Sequence, residues 1–259
     1  MMPAARPVIL GPDPDAPFPP PAQAMREPDG LLAIGGDLSP TRLLAAYRVG
    51  IFPWYSEGQP ILWWSPDPRG VFVTPEVRLS SRFRRSLRGS PWTIRADSRF
   101  AEVVAACAEA PRPGQDGTWI TVAMQEAYRR LHALGHAHSV EVLHGDRLVG
   151  GIYGVAVGRM FYGESMFSAE PGGSKVALAA LARHLAGRGW PLLDAQMPTP
   201  HLERMGARAW PRARFLAAIA PLVEQPEPAG DWRDRFGRQA ARELARPPDA
   251  GDFAPRRHP

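Results

Sequence analysis

The 259 residues are enough for a main domain with a smaller companion, and a 44% apolar, 9% aromatic composition excludes a disordered or fibrous chain. The single cysteine, Cys107, excludes an internal disulfide and fits a reducing compartment. The formal charge is +5 and Lys175 is the only lysine, so the cations are guanidinium groups that suit phosphate, although a GC-rich genome would give the same ratio.

The start, Met1 to Pro20, is rich in Pro and Asp, lacks the apolar run of a signal peptide, and reads as loop to about Pro28. No later run is long and apolar enough to span a bilayer, so a cytoplasmic protein is expected. A helix follows, with Ser39 as cap, Pro40 at its first position and Gly50 at its end. Leu43, Leu44 and Tyr47 give it an apolar stripe. From Ile51 to Pro68, aromatics and prolines exclude a regular helix, and the indoles of Trp54, Trp63 and Trp64 need either a core or a ligand.

A helix is predicted over Arg78 to Arg88, with Leu79, Phe83 and Leu87 inward and Arg78, Arg82, Arg85, Arg84 and Arg88 along its flanks. Such a row suits a phosphate backbone, and equally a plain solvated face. A helix from Thr121 to Leu134 should end at Gly135. A hairpin then runs Ser139 to Leu143, turns at Gly145-Asp146, and returns over Arg147 to Val155. Gly158 offers a turn into Met160-Phe161-Tyr162, Ser174 opens an apolar helix to about Ala186, and Pro191 to Gln196 reads as a buried strand. This order implies a mixed α+β sheet. The polar stretch 225–259 is expected to be a tail, partly disordered or loosely packed.

Three constellations could carry chemistry. Strand alternation puts Asp194 and Gln196 on one face and Leu193 and Ala195 on the other. The polar pair could hold a nucleophilic amine, or simply face solvent on an edge strand. Glu164 sits among Phe161, Tyr162, Met166 and Phe167, where a buried carboxylate needs either a substrate cation or a structural arginine. Trp54, Trp63, Trp64 and Trp119 could line an apolar pocket or belong to the core. His136 and His138 lack a third ligand at a convincing spacing, so no metal site is expected. Gly172-Gly173-Ser174-Lys175 lacks the earlier glycine of a Walker A loop.

Long consecutive runs resemble the leucyl/phenylalanyl-tRNA–protein transferases of bacteria. They include Glu27-Pro28-Asp29-Gly30 through Gly35-Gly36-Asp37-Leu38-Ser39-Pro40, Gly50-Ile51-Phe52-Pro53-Trp54 and Trp63-Trp64-Ser65-Pro66-Asp67-Pro68-Arg69. Further on come Gly117-Thr118-Trp119-Ile120-Thr121, Leu148-Val149-Gly150-Gly151-Ile152-Tyr153-Gly154, Gly163-Glu164-Ser165-Met166-Phe167-Ser168 and Asp194-Ala195-Gln196. The resemblance implies a small N-terminal domain (1–70) on a larger GCN5-related acetyltransferase-like domain (71–224), followed by the polar tail. It implies a monomer that moves Leu or Phe, and Met less well, from aminoacyl-tRNA to proteins beginning with Arg or Lys, marking them for degradation. No metal, nucleotide or coenzyme A is implied.

By motif, Asp194 and Gln196 match the family's catalytic pair, and Glu164 the acidic residue near the acceptor. Trp54, Trp119, Ile152 and Phe161 match the side-chain pocket, and the basic helix at Arg78, Arg82, Arg84, Arg85 and Arg88 lies near the tRNA. Ile152 stands where relatives often carry Met, which bears on the pocket floor. Two other readings compete. An acetyltransferase would need a Gln/Arg-x-x-Gly-x-Gly/Ala loop before Ser174, and none occurs. A noncatalytic RNA-binding module would use the arginines and tryptophans but leave Asp194, Gln196 and Glu164 unexplained.

Overall fold

Two sheets organise the computed structural model, which describes residues 6–111 and 118–246. The first is small, with strand order β1-β2-β4-β3. It comprises β1 (Val8–Leu10), β2 (Leu31–Gly35), β3 (Phe52–Pro53) and β4 (Leu62–Trp64), with α1 (Pro40–Arg48) between the second and third strands. The opening stretch is therefore not all loop, because Val8–Leu10 lies parallel to Ala33–Gly35. Arg42, fully buried on α1, holds the next turn of chain by donating to the carbonyls of Gly11 (3.3 Å) and Ala16 (3.2 Å). The helix itself starts where its cap chemistry requires. Ser39 Oγ accepts from Arg42 N at 3.3 Å, Pro40 opens the first turn, and Leu43, Ala46 and Tyr47 are buried.

The second sheet has eight strands and gathers most of the remaining chain. In sequence these elements are β5 (Arg69–Val73), α2 (Ser81–Leu87), β6 (Thr93–Ala96), α3 (Phe100–Glu109), α4 (Val122–Ala133), β7 (Ala137–His144), β8 (Arg147–Val157) and β9 (Met160–Ser168). Then follow α5 (Gly173–Gly187), β10 (Leu192–Gln196), α6 (Pro200–Glu203), β11 (Arg208–Trp210), α7 (Arg212–Val223), α8 (Arg233–Phe236) and β12 (Gln239–Ala240). The spatial order is β11-β5-β10-β9-β8-β7-β6-β12. Only β9 and β10 pair in parallel, joined through α5, so the sheet is mixed as the element order predicts.

The sheet separates two cores. One face packs Tyr153, Val155 and Tyr162 against α1, α3, α4, α7 and the small sheet. The other packs Ile152, Phe161 and Leu193 against the apolar helix α5. Two sequence expectations need correction here. The arginine helix is shorter than predicted, because Ser80 caps it by accepting from Phe83 N at 3.2 Å, leaving Arg78 and Leu79 outside. The expected polar tail is also a packed segment over residues 225–246. Trp232 and Phe236 are buried, β12 extends the sheet beside β6, and a 3-10 turn at Ala241–Ala245 lies on α2 and α5. Residues 247–259 lie outside the described residues.

This segment is tied down by a buried carboxylate. Asp97 accepts from Trp232 N (2.8 Å) and Ser139 N (2.9 Å), and lies 2.8 Å from His138 Nδ1; the His138 ring stacks on Trp232 at 3.9 Å. Nearby Glu141 is fully buried, and burial pushes its carboxyl up to about 7 despite hydrogen bonds from Ser98 and Ser139. The folded chain thus keeps a proton that the unfolded chain, with an ordinary value of 4.5, has lost. This contribution to stability is complete below pH 4.5 and fades as pH rises through about 7. Glu141→Gln, which mimics the protonated form, should therefore flatten the decline between pH 5 and 8, by up to about 3 kcal/mol at the upper end. Chemical denaturation of both proteins across that range checks it.

Candidate active site

Asp194 and Glu164 come from the parallel strand pair of the larger sheet, at the point where it ends. β9 and β10 are in register at Phe161 with Leu193 and at Tyr162 with Asp194, and no further. Each strand then carries a bulge. On β9, Ser165 faces Tyr153 and Gly163 faces Gly154, so Glu164 is the extra residue. On β10, Asp194 faces Val71 and Gln196 faces Gly70, so Ala195 is extra. Bulges of this kind re-aim side chains and end pairing. Gly154 makes the first one possible, since a Cβ there would stand 2.1 Å from Tyr162 O.

Asp194 is fully buried in the middle of the sheet, which excludes the solvent-facing alternative. Arg69 grips it through two parallel bonds, Nε to Oδ1 at 2.8 Å and Nη2 to Oδ2 at 2.6 Å. The same guanidinium donates to Gly50 O at 3.1 Å and lies against the rings of Phe52 (4.8 Å) and Phe215 (4.7 Å). Asp194 Oδ1 also accepts from Gln196 N at 3.0 Å. That bond holds Gln196 in the left-handed region, φ 59°, which a residue with a Cβ rarely adopts. Leu193 and Ala195 turn to the α5 side, as strand alternation predicts.

Glu164 is 7% exposed, and among the described residues no arginine forms an ion pair with it. Its partners are Tyr47 on α1 (2.8 Å to Oε1), Tyr128 on α4 (2.6 Å to Oε2) and Gln196 Nε2 (3.1 Å to Oε1). The two tyrosine hydroxyls are themselves 2.8 Å apart. If Glu164 is ionised, both hydroxyl protons go to the carboxylate and none is left for the contact between the tyrosines. A proton on Glu164 completes all three contacts in a ring. Burial, the largest influence, agrees: it pushes the Glu164 carboxyl up to about 7, against the pull of the tyrosine bonds. The alternative of a structural arginine therefore fails among the described residues, because two hydroxyls and an amide satisfy the carboxyl. The Glu164 bond also fixes which way the Gln196 amide points. Its NH2 faces Glu164, leaving its carbonyl oxygen to accept a hydrogen bond from a ligand.

The other residues singled out from the sequence do not all converge. Trp54 and Trp119 are partly buried against the core on the Glu164 side of the sheet. Ile152 (4% exposed) and Phe161 (1%) belong to the core on the α5 side. The sheet stands between these pairs. Trp63 is core, with Nε1 donating to Gly35 O at 2.9 Å, and Trp64 Nε1 donates to Trp54 O at 2.7 Å. Arg78, Arg82, Arg85 and Arg88 are exposed and Arg84 half-buried. Sequence reasoning assigned no polar role to Tyr47, Tyr128 or Arg69. Only the third left a signal, an arginine closing a run of aromatics and prolines.

Comparison with known proteins adds an independent finding. The family model described as leucyl/phenylalanyl-tRNA protein transferase matches residues 71–220, and the one for the N-terminal domain of that transferase matches residues 36–67. A leucyl/phenylalanyl-tRNA–protein transferase of Xanthomonas euvesicatoria pv. vesicatoria is 66% identical over 241 residues, 93% of this chain and 96% of its own. A protein of the same name from Xylella fastidiosa is 59% identical over 240 residues, 93% of this chain and 99% of its own. A functionally unknown conserved protein of Staphylococcus epidermidis aligns at 13% identity and a TM-score of 0.36, covering 70% of this chain and 68% of that one.

Proposed function

The chain belongs to the leucyl/phenylalanyl-tRNA–protein transferase family, a family of aminoacyltransferases, and from that premise we propose how this copy works and on what. It transfers Leu or Phe, and Met less well, from aminoacyl-tRNA to the N-terminal Arg or Lys of acceptor proteins, in the cytoplasm, and the product is marked for degradation. The observation that carries this reading is the Gln196 amide, oriented by Glu164 and held by Asp194 at the parting of two parallel strands. That parting also supports an acetyltransferase-like division of the chain, with a small domain over 1–70 and the catalytic domain from 71. In this reading the segment to residue 246 is part of the catalytic domain's surface rather than a tail, and the protein acts as a monomer.

The chemistry asks little of the protein. An aminoacyl ester is already activated, so no metal or cofactor is required, only a neutral amine placed against the ester carbon. An α-amino group titrates near about 8, so roughly one in ten is neutral at pH 7. The Gln196 carbonyl accepts a hydrogen bond from that amine and aims its lone pair. The C–N bond forms, the ester C–O bond breaks, and the proton lost by nitrogen ends on the departing ribose oxygen of the tRNA. Asp194 acts as a positioning residue, since Arg69 occupies both of its oxygens. Glu164, at about 7, serves as an adjustable neutral or negative wall for the acceptor's cationic side chain. The donor's side chain is received on the Glu164 side of the sheet by Trp54 and Trp119, while Ile152 and Phe161, on the far side, back the strands that form the floor.

A pocket of this kind separates side chains by shape, and a methylene is worth only about 1–3 kcal/mol. With charged tRNAs at equal concentration, kcat/KM should fall in the order Leu and Phe, then Met, with Ile and Val at least tenfold below Leu. With peptides, Arg and Lys termini should react, and an acetylated or Ala terminus should not. Equal rates for Ile and Leu would contradict the pocket. Transfer to Ala would contradict the role given to Glu164.

A further inference from the structure

The packed segment beyond residue 224 meets α2 along a narrow groove of about 40 Å3 whose lining includes three arginines, Arg84, Arg183 and Arg246. Its remaining walls include Val77, Leu79 and Leu244, with no aromatic ring and no carboxylate. Arg183 on α5 donates to the carbonyls of Glu243 and Arg246, each at 3.3 Å, which clamps the end of the segment without neutralising the charge. Arg84 bonds Ser81 Oγ at 3.3 Å, and its Nε is buried with no hydrogen-bond partner among the described residues. Among the described residues, none of the three makes an ion pair with a carboxylate.

Three like charges in one groove repel, more so beside apolar walls where screening is weak. Planar forks in such a place match a phosphate, which offers each of them oxygen acceptors. We propose that Arg84, Arg183 and Arg246 form a cleft for one backbone phosphodiester of the RNA donor, so that the C-terminal segment completes the surface begun by α2. The cleft offers donors and nothing on which a base could stack, so it reads backbone and not sequence. That suits an enzyme served by more than one tRNA. The exposed Arg82, Arg85 and Arg88 continue the positive surface along α2. This inference rests on the reading of the chain as one that takes its amino acid from tRNA.

The test uses the full chain with Arg84→Gln and Arg246→Gln combined, leaving Arg183 to hold the segment in place. Binding of Leu-tRNA is measured across a range of salt, and transfer is measured from leucyl-adenosine, a donor without phosphate. The dissociation constant should rise about tenfold, and the slope of its logarithm against log salt should fall by about 1, because both arginines serve one phosphate. Transfer from leucyl-adenosine should keep its kcat/KM. An unchanged dissociation constant and slope overturn the cleft. In that case Arg82→Gln with Arg85→Gln separates the two claims. If that pair still weakens binding, only the cleft is wrong, and if it too is silent, the reading of α2 as an RNA surface falls with it.

Discussion

Arg69→Met should destabilise the protein by about 3–5 kcal/mol in urea unfolding at pH 7, the cost of leaving a buried charge without its partner. Asp194 is fully buried, and among the described residues its hydrogen-bond donor apart from Arg69 is the backbone N–H of Gln196. The variant would have to keep a desolvated carboxylate or protonate it, and either way the two-pronged grip that positions Asp194 beside Gln196 is lost. Contacts of Arg69 with Gly50 O, Phe52 and Phe215 are lost too, but methionine refills much of that volume. Combining Arg69→Met with Asp194→Leu separates charge from packing. If charge is the cause, the double variant regains most of the lost stability while transfer stays low, since nothing then holds Gln196. A double variant as unstable as the single one would show that packing, not the ion pair, carries the effect.

Gln196→Ala should lower kcat for transfer by about 10²–10³, the usual consequence of removing one preorganised polar group from the reacting centre, with KM for the acceptor peptide little changed. Stability should hardly move, because the side chain is only half-buried. Gln196→Gly sharpens the test. At φ 59° glycine is free of the strain a Cβ imposes, so this variant should be about 1 kcal/mol more stable than Gln196→Ala and equally inactive. Such a result would mark the strained backbone as something the site maintains at the expense of stability. Full activity in both Gln196→Ala and Asp194→Ala would remove the roles proposed for the pair.

Much of the frame was legible because its causes are local. Ser39 and Thr121 cap helices by bonds to the third residue on, Gly135 ends one, and Gly145-Asp146 turns a hairpin, all within a few residues of sequence. The chemistry at the strand ends was legible only as residue types. Glu164 takes its proton-sharing partner Tyr47 from 117 positions away, and Asp194 takes Arg69 from 125, distances at which alternation and spacing say nothing. The two bulges were equally hidden, since an extra residue in a strand leaves no mark until its neighbour is known. The C-terminal segment misled for a compositional reason. Its polar residues outnumber the few that anchor it, yet Trp232 and Phe236, four positions apart, mark one buried face of a short helix. Reading that pair would have found the segment that now shapes the groove beside α2.

The most direct measurement supplies the purified protein with tRNA bearing labelled leucine and a peptide that begins with Arg, then follows the label by mass spectrometry. The account predicts leucine in amide linkage to the peptide's α-nitrogen, formed without added metal or nucleotide and at a much lower rate by Gln196→Ala. Label that remains on the tRNA, or is released as free leucine with no new amide, would contradict it.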